Sequence, residues 1–303
     1  MATRRRFLQS SLGVAAAATL GGLLPRLVLA QQNMISRAIP STGERIPVIG
    51  LGTADAFNVE ADAEALEPLA QVLDELFRAG GRVIDTAPSY DKSQGVIGTL
   101  LTRQERGDQA FLATKVEGQE RSVADIEAEM RDLQGVPIDL LQVHSMIGFD
   151  EVMPLLREMK EQGRIRYTGI THHDEGAQDQ MIELVEKEPM DFVQINLNPK
   201  EQKAQEHLLG LCQDKGVAVM INRPFLDGQL FEVVEHEPLP GFAAEIGCRS
   251  WAQLLIKYAI AHPAVTCVIP ATSRPEHMAE NAEAGSGELP DEAMRRRIAD
   301  YFS

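Results

Sequence analysis

The chain has 303 residues, with 29 Lys and Arg against 45 Asp and Glu and a net charge of −16. Such an acid excess disfavours nucleic-acid backbones and anionic membrane surfaces, both of which are held by basic patches. With 44% apolar residues, a chain of this length buries a large core and suits one α/β domain.

The first thirty residues stand apart. Thr3-Arg4-Arg5-Arg6-Phe7-Leu8 is followed by an apolar run that ends on Val28-Leu29-Ala30. This is signal-peptide anatomy, and the arginines resemble a twin-arginine export address. The run is interrupted by Gly13, Gly21 and Gly22 and is short for a stable span. Residues 1–30 are therefore expected to be cleaved, delivering 31–303 to the periplasm through the twin-arginine machinery. Only an uncleaved signal would anchor the protein in the membrane. Loss of four Arg takes the net charge from −16 to −20.

From there the chain alternates. A tight turn is expected at Thr42-Gly43-Glu44, and short apolar or β-branched runs read as strands at 46–50, 82–85, 111–115, 138–144, 165–170, 192–196, 217–221 and 265–269. Between them lie amphipathic segments: Leu66, Leu69, Leu73 and Leu76 form one stripe, Ile126, Met130 and Leu133 another, and Met181-Ile182 with Leu184-Val185 a third. Ser122 and Ser250 read as helix N-caps, while Gly80-Gly81, Gly163 and Gly216 stand where helices end. Eight strands alternating with helices, and no second domain, predict a single-domain (β/α)8 TIM barrel. The long strand-poor stretch after the seventh strand, residues 227–247, should lie on the barrel's C-terminal face. Cys212, Cys248 and Cys267 have no metal-ligand spacing and read as small buried hydrophobes.

The strand ends carry the chemistry. Asp85 closes the second strand with Tyr90 in the loop after it; Lys115 ends the third and His144 the fourth. In a barrel these ends meet at one rim, so four ionisable groups converge. A buried ammonium at Lys115, held by Asp85, is expected to lower the pKa of the Tyr90 phenol and make it a proton donor, with His144 to orient a reacting oxygen. His172-His173 with Asp174 is not expected to hold a metal, because neighbours in a strand point to opposite faces.

The landmarks IPVIGLGTAD, GGRVIDTAPSYDKS, FLATKV, DLLQVHS, FVQINLNP and CVIPATSRPEHMAEN resemble those of the aldo-keto reductase family. The resemblance implies that Asp85, Tyr90, Lys115 and His144 are a catalytic tetrad and that the cofactor is NADP(H), with NAD(H) as the alternative. It places Gln194, Thr171, His172, Asn222 and Phe225 at the nicotinamide, and adds Gly52, Thr53, Asp85, Arg223 and Pro224 to the cofactor-binding residues. Pro270, Thr272, Ser273, Arg274, Glu280 and Asn281 would face its adenosine half. Thr171-His172 replaces the Ser-Asn of many members, Asn222 replaces a stacking aromatic, and Ala271 replaces a phosphate-binding lysine. The expected function is a reversible NAD(P)H-dependent carbonyl reductase acting on a small aldehyde or ketone. The alternatives are a non-catalytic nucleotide-binding sensor and a Schiff-base aldolase using Lys115. Rim residues Phe57, Met146, Phe149 and Phe225 suggest a partly hydrophobic substrate.

Overall fold

The computed structural model describes residues 34–116, 118 and 121–303, so the expected export signal lies outside the described residues. The described chain opens with an antiparallel hairpin of β1 (Ser36–Ala38) and β2 (Arg45–Pro47). Its turn falls where expected: Gly43 takes φ +77°, a left-handed conformation that a side chain would strain. Eight parallel strands follow: β3 (Leu51–Gly52), β4 (Val83–Asp85), β5 (Phe111–Val116), β6 (Leu140–His144), β7 (Tyr167–Thr171), β8 (Phe192–Asn196), β9 (Ala218–Asn222) and β10 (Val265–Val268). They pair in chain order. The sheet then closes on itself, because Gly50 N–H bonds the Val268 carbonyl and Val268 N–H the Val48 carbonyl, both at 2.8 Å. Gly52 N–H adds a third closing bond, to the Pro270 carbonyl at 3.1 Å.

Helices α1 (Ala63–Arg78), α2 (Ser93–Arg103), α3 (Val123–Glu129), α4 (Phe149–Glu161), α5 (Gln178–Lys187), α6 (Leu208–Lys215), α7 (Gln229–Val233), α8 (Trp251–Ile260), α9 (Pro275–Glu283) and α10 (Glu292–Asp300) complete the (β/α)8 barrel. Both expected caps form. Ser122 and Asp125 make a reciprocal capping box on α3, and Ser250 Oγ accepts the Gln253 N–H at 3.2 Å on α8. The three cysteines are buried and unpaired, and burial pushes the Cys212 thiol up to about 12.

One expected strand is divided. In the run 46–50, Ile46 pairs with Arg37 in the hairpin, Ile49 bridges Val268 where the barrel closes, and the regular barrel strand is Leu51–Gly52.

Strand periodicity places the site. Side chains two residues apart share a face, so the inward series are Val83 and Asp85 on β4, Phe111, Ala113 and Lys115 on β5, and Leu140, Gln142 and His144 on β6. On the next three strands they are Tyr167, Gly169 and Thr171, then Phe192 and Gln194, then Ala218, Met220 and Asn222. The N-terminal members form an apolar plug in which the rings of Phe111, Tyr167 and Phe192 lie 5.5 to 6.0 Å apart. Gly169 belongs to that layer for want of room: a Cβ there would lie 2.6 Å from the Phe192 carbonyl oxygen. Each of these six strands thus runs from apolar to polar along its inward face, and the polar ends line the C-terminal mouth. The outward residues, such as Ile84, Leu112, Leu141 and Ile170, pack under the helices.

Candidate active site

The four expected residues meet. Lys115 Nζ lies 2.6 Å from Asp85 Oδ2 and 2.9 Å from the Thr86 carbonyl, with both charged side chains about 3% exposed or less. The same ammonium stands 4.6 Å from the Tyr90 ring centroid. The His144 ring meets the Tyr90 ring edge-on at 6.0 Å, and its Nδ1 is 3.2 Å from Ser89 Oγ. Asp85 Oδ1 accepts from Gln194 Nε2 at 2.8 Å and Gln142 Nε2 at 3.3 Å.

The protonation states follow from burial and neighbours. Burial alone would lower the Lys115 pKa, but Asp85 and Tyr90 outweigh it, so the amine stays an ammonium. The Tyr90 phenol goes against expectation. Burial pushes it above the usual tyrosine range and Lys115 only partly offsets this, so the net effect is upward rather than downward. Tyr90 therefore holds its proton throughout the neutral range. Burial, reinforced by the Lys115 charge and by His173 and His172, lowers His144 to about 4, leaving a neutral imidazole.

That shift has a measurable sign. The unfolded chain binds more protons at His144 than the folded one between about 4 and about 6.5, so this stability is complete above the upper value and lost as pH falls toward the lower. His262, also lowered to about 4, adds to the same loss. The C2 proton of His144, assigned by comparison with His144→Asn, should titrate near 4 by NMR. A midpoint near 6.5 would contradict the burial argument.

Tyr90, His144 and Asp85 open onto a cavity of about 770 Å³. Gly52, Thr53, Thr171, His172, Gln194, Asn222, Arg223, Pro224 and Phe225 line it as expected. A neighbouring cavity of about 380 Å³ shares Phe225, Phe231 and Ala271 with it and reaches Thr272, Glu280 and Asn281. Pro270, Ser273 and Arg274 line neither cavity. The Pro270 carbonyl closes the barrel instead, and Arg274 lies 2.6 Å from Glu276 on an exposed ion pair. The rim loops carry the strain: among the described residues, six of the eight non-glycine residues with positive φ are Asp91, Ser145, Met146, Arg223, Leu226 and Asp227.

One wall suits a carboxamide. Gln194 Oε1 accepts from Thr171 Oγ1 at 3.0 Å and from Asn222 Nδ2 at 3.3 Å, and Asn222 Nδ2 also reaches the His172 carbonyl at 3.0 Å. Asn222 Oδ1 is buried without a partner. A nicotinamide carboxamide, with two N–H donors, would satisfy that orphaned acceptor, so the residues present fit the cofactor.

Three rim expectations fail. Phe57, Met146 and Phe149 turn into the core and line neither cavity, leaving Phe225 and Phe231 as the phenylalanines that line both, with ring centroids 5.0 Å apart. His172 and His173 lie past the end of β7, so their rings stack at 5.1 Å rather than diverging. Among the described residues no group of three metal-ligating side chains forms. Sequence reasoning also missed Ser89, Gln142 and His173. Gln142 alone had a signal, a buried amide two residues before His144 on the same strand face.

A model of the aldo/keto reductase family matches residues 48–298. The oxidoreductase YtbE of Bacillus subtilis is 26% identical over 274 residues, covering 87% of this chain and 92% of its own. Methylglyoxal reductase YeaE of Escherichia coli is 25% identical over 268 residues, covering 86% and 91%. Among solved structures, an aldo-keto reductase of Klebsiella pneumoniae in complex with NADPH superposes with a TM-score of 0.72 at 24% identity, over 88% of this chain and 96% of that one.

Proposed function

The chain belongs to the aldo/keto reductase family, and on that premise we propose that it reduces small aldehydes and ketones with NADPH, reversibly. The observation that carries this is Tyr90: a phenol kept protonated by burial, 4.6 Å from a buried ammonium by its ring centroid, and opening on a cavity that Asn222, with its orphaned amide oxygen, also lines. Bound NADPH supplies hydride to the carbonyl carbon. As the carbon–oxygen π bond breaks, the Tyr90 O–H bond breaks with it and the proton passes to the oxygen. The phenolate left behind faces Lys115, whose charge stabilises it and is itself anchored by Asp85. His144, neutral, offers a ring N–H to orient the carbonyl.

Lys115 does not serve as a Schiff-base nucleophile. Its amine is buried, ion-paired and held above the usual lysine range, so no lone pair is free at neutral pH. NADPH is preferred to NADH because Thr272, and His277 near the N-terminus of α9, line the second cavity, where a phosphate would find the helix's amides. The methylglyoxal reductase relative supports a small carbonyl substrate, in keeping with the loss of Phe57, Met146 and Phe149 from the lining. Fluorescence titration with NADPH and NADH, beside turnover of an aldehyde panel, tests the proposal. Tighter NADPH binding with turnover supports it. Binding without turnover indicates a nucleotide sensor, and no binding to either removes the reductase reading.

Residues 1–30 are proposed to export this enzyme, on the strength of the basic, apolar and small-residue succession in the sequence. Intact-mass analysis of periplasmic and cytoplasmic fractions should find a periplasmic protein beginning at Gln31. A full-length cytoplasmic product would contradict export.

A further inference from the structure

The two oxygens of Asp85 have different company. Oδ2 takes the Lys115 ammonium at 2.6 Å, whereas Oδ1 takes two amides, Gln194 at 2.8 Å and Gln142 at 3.3 Å. Gln142 Oε1 in turn lies 3.4 Å from Gln194 Nε2. Both glutamines are buried, at 0% and 1% exposure. Gln194 lines the cavity and is bonded to the wall that would meet a carboxamide; Gln142 does not line it. Gln142 sits mid-strand in LLQVH, among apolar neighbours, where an amide is costly unless its bonds are made. Its register partner across the sheet is Lys115.

We propose that Gln142 is a positioning residue for proton donation by Tyr90. Its N–H restrains the Asp85 carboxylate so that Oδ2 stays on Lys115, and it does so from outside the cofactor wall. Asp85 therefore remains anchored when Gln194 turns to a bound nicotinamide. Gln142 transfers no atom and acts only through the Asp85–Lys115 pair. The proposal rests on the reductase reading.

Two variants test it. Gln142→Met keeps the chain length and removes the donor. Its kcat should fall roughly tenfold or more, as misplacement of a reacting group does, with KM and the NADPH Kd within about twofold of the native values. Gln142→Glu keeps the shape but puts a carboxylate beside Asp85, so its kcat at neutral pH should fall further. Activity should then rise toward acid, because the introduced carboxyl becomes a donor once protonated. Neither the native protein nor Gln142→Met should show that rise. A folded Gln142→Met with native kcat overturns the proposal. So does a loss of kcat matched by an equal loss of NADPH affinity, which would indicate a disturbed cofactor wall. If Gln142→Met fails to fold, a flat acid profile for Gln142→Glu overturns it alone. Native protein with no Tyr90-dependent turnover removes the reductase reading itself, a separate outcome.

Discussion

The Tyr90→Phe variant should bind NADPH as the native protein does and reduce carbonyls roughly 10²- to 10⁴-fold more slowly, the range a positioned proton donor supplies. The substitution removes one oxygen. The ring keeps its edge contact with His144 at 6.0 Å and its place 4.6 Å from the Lys115 ammonium, so the cavity wall is preserved. The loss should fall on kcat with KM nearly unchanged, because the hydroxyl proton is given up only in the transition state. Steady-state kinetics on the two proteins decides the matter. Equal rates would show that another group, with His144 the nearest candidate, donates the proton.

The Lys115→Met variant should be both inactive and less stable. Lys115 and Asp85 form a buried pair, and removing one partner leaves the other charge uncompensated at a cost of about 3–5 kcal/mol. Without the ammonium, the phenolate of Tyr90 would also lie beside Asp85 alone, so proton donation is opposed. Urea unfolding should show the reduced stability directly. A double variant, Lys115→Met with Asp85→Leu, should recover much of that stability, since no charge is then stranded, yet remain inactive. Full activity in the single variant would remove Lys115 from the mechanism. Recovery of activity in the double variant would show that the pair serves the fold alone.

The sequence made the barrel legible because its two periods differ visibly. Leu66, Leu69, Leu73 and Leu76 repeat at helical spacing, and runs such as FLATK and FVQIN do not. The tetrad was legible because Asp85, Lys115 and His144 stand at or next to strand ends, with Tyr90 in the loop after the first, and parallel strands bring such ends to one rim. What stayed hidden depends on packing rather than pattern. Phe57, Met146 and Phe149 sit in rim loops by sequence, but Phe57 is wholly buried and the other two nearly so. Loop side chains have no periodicity from which to read their direction. The upward shift of the Tyr90 pKa was illegible for a related reason: proximity to Lys115 follows from topology, while burial of the ring depends on how the loop after β4 folds. Arg274 looked like a phosphate ligand until Glu276, two residues on, was seen to occupy it. The stacked His172 and His173 escaped notice because β7 ends at Thr171, one residue before alternation would have separated them.

Hydride transfer itself is the most direct test. NADPH deuterated at its transferable C4 position should be incubated with the protein and a small aldehyde, and the product alcohol analysed by mass spectrometry. One deuterium on the former carbonyl carbon, from one face of the cofactor only, is the expected result. An alcohol without deuterium, or no alcohol at all while NADPH stays bound, would contradict a carbonyl reductase built around Tyr90.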